Sequence, residues 1–169
     1  MKNNSYIFLL SIITLFILIG CGAYSFTGGN TGNAKTIQVD FFANQAPLIE
    51  PTLSQKFTQD LQDLFTRQTN LTLVNTNGEL HFSGEIVDYR INPMSATSDQ
   101  KAAQNRLTIT VNVIFENKLT EKDDFEKRFS FYYDYGATQQ LTGAVLETAL
   151  NTILERITQD IFNESVAKW

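Results

Sequence analysis

Cysteine is almost missing from this chain: Cys21 is the only one. No intrachain disulfide and no thiolate metal cluster can be assembled from it. Histidine is reduced to His81, too few for a metal site built on imidazoles. Proline occurs only at positions 47, 51 and 93, which excludes a Pro-rich linker protein. Positive charge is also scarce, with 13 Lys and Arg against 18 Asp and Glu, so a nucleic-acid partner is not expected. Catalytic patterns are missing as well: no G-x-S-x-G elbow and no Gly-rich phosphate loop after a strand can be found. Acid pairs such as Asp60 with Asp63, or the group Glu121, Asp123 and Asp124, read as solvated helix and loop faces, since nothing places them across a cleft.

What is present begins with an apolar run from Tyr6 to Ile19, preceded by Lys2 and ending in Leu18-Ile19-Gly20-Cys21. The run is short for a spanning helix and is followed at once by glycine and polar residues. A basic start, an apolar stretch and Leu-x-Gly-Cys together read as a lipobox. On this reading residues 1–20 are a signal peptide cut before Cys21, whose thiol carries diacylglycerol and whose new amino group is acylated. Three acyl chains exceed what stable anchoring needs, because each buried methylene contributes about 0.8 kcal/mol. The rival is an ordinary secretory signal followed by an incidental cysteine. Without residues 1–20 the chain keeps 12 basic and 18 acidic side chains, a formal charge of −6.

Residues 21–35 follow as the lipid site and a flexible tether, CGAYSFTGGNTGNAK. Fourteen Gly-rich residues reach roughly 20 Å. Tyr24 and Phe26 have two open roles: docking at lipid headgroups or a partner, as interfacial aromatics do, or covering an edge of the adjoining fold. Gly22, not Asp, follows the cysteine, and by analogy with enterobacterial sorting this points to the periplasmic face of the outer membrane.

Residues 36–169 read as one domain, rich in phenylalanine, with 13 in the chain, as an ordered core requires. Ile37, Val39 and Phe41 alternate as one face of a strand over 36–43. Thr52-Leu-Ser-Gln55 has the form of a capping box, and Leu53, Phe57, Leu61, Leu64 and Phe65 mark the buried stripe of the helix it opens. Leu71–Val74 is a short extended piece, and Asn77-Gly78 is a turn signal. From Glu79 to Ile91 the apolar residues change from even positions to odd ones near Gly84–Val87, the signature of a β-bulge.

After a polar loop over 92–104, Leu107 to Phe115 and Phe125 to Tyr135 alternate as two further strands. A last helix runs from Leu141 or Thr142 past Asn163, with Leu146, Leu150, Ile153, Ile157 and Ile161 inward. The order β-α-β-β-β-α predicts an α+β two-layer sandwich, a four-stranded mixed sheet with two helices on one face. The other face would carry Gln38, Asp40, His81, Ser83, Glu85, Thr108, Thr110, Asn112, Ile114, Glu126, Arg128, Ser130 and Tyr132 to solvent. His81 reads there as a solvated strand residue.

Several stretches together resemble a known family: Cys21-Gly-Ala-Tyr24-Ser-Phe26-Thr-Gly28, Pro47-Leu48-Ile49, Pro51-Thr52-Leu53-Ser54, Leu71-Thr72-Leu73-Val74, Asn105-Arg106-Leu107-Thr108-Ile109-Thr110-Val111 and Asp160-Ile161-Phe162-Asn163. The chain is similar to the lipopolysaccharide-assembly lipoprotein family LptE in its Bacteroidetes-type form. The resemblance implies two helices on a four-stranded sheet, no catalysis and no cofactor. It also implies a partner, the outer-membrane β-barrel LptD, which such proteins plug and help assemble, and contact with lipopolysaccharide.

No local motif carries the family's lipopolysaccharide residues onto this chain. Arg90, Lys101 and Arg106, flanking the 92–104 loop, and Met94 within it are the candidate contacts. Two other functions compete: a periplasmic lipoprotein holding a small apolar ligand between helices and sheet, and a lipid-anchored hydrolase. The anchor itself is directly testable. A clickable fatty acid labels the wild-type protein and fails to label Cys21→Ala; labelling that survives the substitution would refute the lipobox reading.

Overall fold

The computed structural model describes residues 29, 31–94 and 103–167. Its elements, in chain order, are β1 (Thr36–Val39), β2 (Ala43–Asn44), α1 (Leu53–Gln68), β3 (Thr72–Leu73), β4 (Leu80–Met94), β5 (Gln104–Asn117), a 3-10 turn (Glu121–Asp123), β6 (Phe125–Gly136) and α2 (Gly143–Val166). One sheet runs β3-β1-β4-β5-β6, with β2 also beside β4. The sheet thus has six strands where the sequence suggests four, and two local events account for the difference.

The first event is a break in the leading strand. β1 pairs parallel with β4 up to Val39 opposite Phe82, and pairing resumes with Ala43 opposite Glu85. The first line therefore holds one more residue than its partner, a bulge. Phe42, not Phe41, then turns inward: Phe42 is fully buried and Phe41 is 63% exposed. The ring of Phe42 meets Phe57 edge-on at 5.0 Å, and its backbone N–H donates to Thr58 Oγ1. The second event is the capture of the extended piece after α1. Thr72 and Leu73 pair parallel with Thr36 and Ile37 and make a short sixth strand at the edge.

β4 and β5 form a long antiparallel ladder from Leu80–Asn117 to Met94–Gln104, with a register shift between Ile86 and Asp88. The bulge expected from the face switch is therefore real, with Val87 as its extra residue. Leu80, Phe82 and Ile86 are buried before it and Tyr89 after it. Gly84 sits beside it at φ +147°, and a Cβ there would lie 2.0 Å from the Asn112 carbonyl oxygen and 2.8 Å from the Phe42 ring. Both the backbone angle and the space reserve this position for glycine. Strand pairing also extends into both ends of the loop expected at 92–104.

One core joins both helices to the sheet. Phe65 of α1 lies 4.9 Å from Phe82 and 5.1 Å from Phe162 of α2, and Phe82 lies 4.6 Å from Phe115. The helix starts fall where the sequence sets them, but the capping box does not form. Thr52 has no side-chain cap bond; its N–H and hydroxyl both donate to the Glu50 carboxylate.

Gly84→Ala adds both a steric conflict and a strained backbone. It is expected to lower stability by more than about 2 kcal/mol, read as a fall in the urea midpoint; a variant within about 0.5 kcal/mol of wild type would contradict the close approach of Phe42.

Candidate functional site

The sheet face away from the helices is the surface on which the sequence candidates meet. After the bulge, β4 turns its even-numbered residues outward, matching the even-numbered residues of β5 and β6. Rows therefore form across the sheet: Asp88, Thr110, Ser130; then Arg90, Thr108, Tyr132; then Asn92, Arg106, Asp134. Arg90 and Arg106 occupy diagonal positions, roughly 7–8 Å apart in such a ladder. Met94 closes the same end of β4, opposite Gln104, and is partly exposed. Lys101 and Cys21 lie outside the described residues.

At this end of the face the charges are internally matched. The Arg106 guanidinium donates through Nε and a terminal nitrogen to the two oxygens of Asp134, at 2.7 and 2.8 Å. It also stacks 3.6 Å above the Tyr132 ring centre. These hydrogen bonds hold the Asp134 carboxyl below its ordinary range. Arg90 pairs with Asp88 at 3.0 Å. The anticipated basic patch is thus two ion pairs with almost no net charge. Neighbouring polar groups are also satisfied: Thr110 donates to Ser130 and Asn112 to Glu126, each at 2.9 Å.

His81 departs from the solvated role expected of it. Its ring lies between two carboxylates, Nε2 at 2.9 Å from Asp40 and Nδ1 at 3.0 Å from Glu116. Both nitrogens donate only in the imidazolium form. Partial burial pulls the His81 pKa down, but hydrogen bonds and charges from Asp40 and Glu116 outweigh it and leave the pKa raised. Burial likewise pushes Asp40 up, and bonds from Gln38 and His81 overcome that and leave it lowered. The cluster ties β4 to β5 and to the residue that follows β1. Sequence spacing hides it, because Asp40 and Glu116 become neighbours of His81 only through strand register.

The end of the sheet beyond the helices has another character. β4 is exposed from Arg90 to Met94, and Ile91 and Met94 are each about 40% exposed. Tyr89 and Tyr135 are buried just below. Burial, followed by the charge of Glu50 and the neighbouring Tyr135, raises the Tyr89 pKa, so the loop before α1 lies beside this end too. Leu48 and Ile49 of that loop are strongly exposed.

Other depressions are open grooves with mostly polar linings. One between the helices is bordered by Lys56, Asp60, Arg67, Asn151, Glu155 and Gln159; another follows β6. Neither offers the apolar enclosure that a buried small ligand needs. Among the described residues no group of three His, Cys, Asp or Glu side chains is placed to hold a metal, and no helix is long and apolar enough to cross a membrane.

Comparison with known proteins bears on this arrangement. The family model described as LptE: Lipopolysaccharide-assembly matches residues 34–165. Among solved structures, the chain is similar to a minor lipoprotein from Acinetobacter baumannii, at 13% identity, covering 78% of this chain and 91% of that one, with a TM-score of 0.51. It is also similar to a hypothetical protein from Chlamydia trachomatis, at 8% identity, covering 80% of this chain and 99% of that one, with a TM-score of 0.53. Identities this low show a shared fold. Curated protein sequences give no match.

The His81 cluster generates a pH prediction with a definite sign. A raised histidine pKa contributes stability that is full below the ordinary value of 6.5 and is lost as pH rises through the folded value. The lowered Asp40 pKa contributes above the ordinary 3.8 and is lost on acidification. Relative to wild type, His81→Gln should therefore be most destabilised between those values and converge with it at alkaline pH. The gap should not exceed about 1 kcal/mol, since Asp40 and Glu116 are roughly half exposed. Thermal melts at several pH values check this; a gap independent of pH would remove the imidazolium.

Proposed function

The chain belongs to the LptE lipopolysaccharide-assembly family, and from that premise we propose that it is an outer-membrane lipoprotein that plugs an LptD-type β-barrel and assists its assembly. The family consists of non-enzymatic envelope lipoproteins that partner with LptD in lipopolysaccharide assembly. The single observation that carries the reading is the family match, which spans nearly all of the described domain. Anchoring through Cys21 sets the protein at the periplasmic face of the outer membrane, and the acyl chains are its only attached group.

The physical character of the domain supports a plug. A wide barrel has a wet, polar lumen, and the outward face here is a hydrogen-bonded lattice of Thr, Ser, Asn and paired charges. Such a surface meets a wet lumen with many of its hydrogen-bonding groups already oriented. The end carrying Arg90, Met94 and Arg106, with Lys101 in the adjoining stretch, is the part assigned to barrel and lipopolysaccharide contact. Because Arg90 and Arg106 are already paired with Asp88 and Asp134, their role toward a sugar phosphate is directed hydrogen bonding, not bulk positive charge.

Affinity purification of the tagged protein from detergent-solubilised membranes tests the proposal. A large β-barrel protein should co-purify at close to one copy per copy, and depletion of the lipoprotein should reduce both the assembled barrel and surface lipopolysaccharide. Recovery of the lipoprotein alone, with barrel assembly intact after depletion, would overturn it.

A further inference from the structure

The leading line of strands covers only the first half of β4. β1 and β2 lie beside it from Ile37 opposite Leu80 to Asn44 opposite Ile86, and the line ends with the Gln45 N–H donating to the Ile86 carbonyl. The chain then leaves through Pro47, Leu48 and Ile49 and enters α1 at Leu53. From Asp88 to Met94, β4 pairs with β5 on one side and with no strand on the other among the described residues. An open lane therefore continues the β1–β2 line along the outer half of β4.

Strand register fixes which backbone groups border this lane. The Ala137 N–H donates to the Ala103 carbonyl, so odd-numbered residues of β5 bond to β6 and even-numbered ones to β4. Asp88, Arg90, Asn92 and Met94 stand opposite those even-numbered residues. The N–H and C=O of Tyr89 and Ile91, and the C=O of Pro93, are left directed into the lane, with no backbone partner there among the described residues. Before the bulge the even-numbered residues hold this role, and the Phe82 and Ile86 carbonyls accept from Asp40 and Gln45. Pro93 fits the same scheme, because a missing N–H costs nothing where it would face an unpaired edge.

The two sides of the lane differ. On the helix side stand Ile91, 40% exposed, and the loop bearing Leu48 and Ile49, 55% and 71% exposed. On the outer side stand the paired charges of Asp88 and Arg90. A second copy of the domain is a poor occupant. Antiparallel self-pairing about a two-fold axis at Arg90 sets the two Arg90 side chains directly opposite each other, a destabilising like-charge pair. An axis at Ile91 or Asn92 sets Pro93, which has no N–H, against a carbonyl of the other copy. The edge is thus guarded against itself while four backbone groups of Tyr89 and Ile91 stay available to a different strand.

We propose that this lane receives an extended strand of another protein, about five residues long, bound by strand addition to the Tyr89 and Ile91 backbone. Main-chain bonds supply the attachment, and alternate side chains supply the selectivity. Apolar side chains of the incoming strand lie toward Ile91, Leu48 and Ile49, and polar ones lie toward Asp88 and Arg90. The strand completes the sheet along the line that β1 and β2 abandon at Gln45. This pairing follows from strand register and does not depend on the family reading, so its failure leaves the barrel proposal standing, and the reverse holds as well.

Amide hydrogen exchange by NMR on the full chain in detergent micelles tests it, with the amphipathic peptide acetyl-Glu-Val-Thr-Val-Thr-Val-Lys-amide as probe. In the free protein the Ile91 amide should exchange fast and those of Arg90 and Asn92, bonded to β5, slowly. Peptide at about 1 mM should slow Ile91 and Tyr89 at least about tenfold and leave Arg90 and Asn92 unchanged. The same peptide N-methylated at every Val and Thr should have no effect. Ile91→Pro, which removes only a lane-facing N–H, should abolish the slowing at Tyr89, and Ile91→Val should keep it, with β5 amides from Leu107 to Val113 unchanged as the measure of folding. An Ile91 amide already protected in the free chain, no slowing by the peptide, or equal slowing by its methylated form would overturn the proposal.

Discussion

The contact between the Phe42 ring and the bare α-carbon of Gly84 sets the geometry of the whole sheet. Two strand irregularities face each other there, one extra residue on the β1–β2 line and Val87 on β4. The first turns Phe42 inward to seal the start of α1 through Phe57. The second reverses the facing of β4, so that Leu80, Phe82 and Ile86 on one side of it and Tyr89 on the other all reach one core. A regular strand would have sent Tyr89 to solvent and Asp88 and Arg90 into the apolar layer, at the cost of unpaired buried charge. Packing and the chemistry of the outer face are thus decided at the same few residues.

On that outer face the dominant physical theme is local neutralisation. Asp40 and Glu116 bracket His81, Asp134 grips Arg106, and Asp88 holds Arg90. At the Arg90–Arg106 end the acids and bases cancel, while toward the other end Asp40, Glu85, Glu116 and Glu126 outnumber His81 and Arg128. These pairs are exposed enough that each adds little to stability. Burying such matched pairs costs less than burying isolated ions, because much of the desolvation penalty is offset by the partner charge already in place.

Periodicity carried the main architecture: both helices, the three long strands, the bulge in β4 and the polar outer face are legible in residue spacing, because each has a side buried against one core. What spacing missed involves contacts distant in sequence. The Leu71–Val74 piece has too few residues to show a period, and becomes a strand only by pairing with Thr36 and Ile37. Phe41 and Phe42 are equally apolar, so the one that turns inward depends on the Thr58 and Phe57 contacts from α1. Thr52 and Gln55 have the right residues for a capping box, but Glu50 lies closer to the free N–H and takes it. At the candidate site, Arg90 and Arg106 were visible as cations flanking one loop; their acidic partners Asp88 and Asp134 and the stacked Tyr132 depend on strand register.

The exposed end of the sheet completes the physical picture. A hairpin of two strands is marginal in water by itself, and beyond Arg90 β4 has lost the cover of the helices. It is nevertheless held in register with β5 to Met94–Gln104, and β6 accompanies β5 to Gly136. The Arg106–Asp134 fork and the Arg106–Tyr132 stack bind β5 to β6 across this outer region. The result is a braced three-stranded arm bearing Ile91 and Met94. A braced arm has already lost most of the backbone freedom that a loop would surrender on binding, so apolar contact made by Ile91 and Met94 is spent less on ordering and more on affinity. Preorganisation of this kind lowers the ordering cost of covering the exposed end, whatever surface is laid against it.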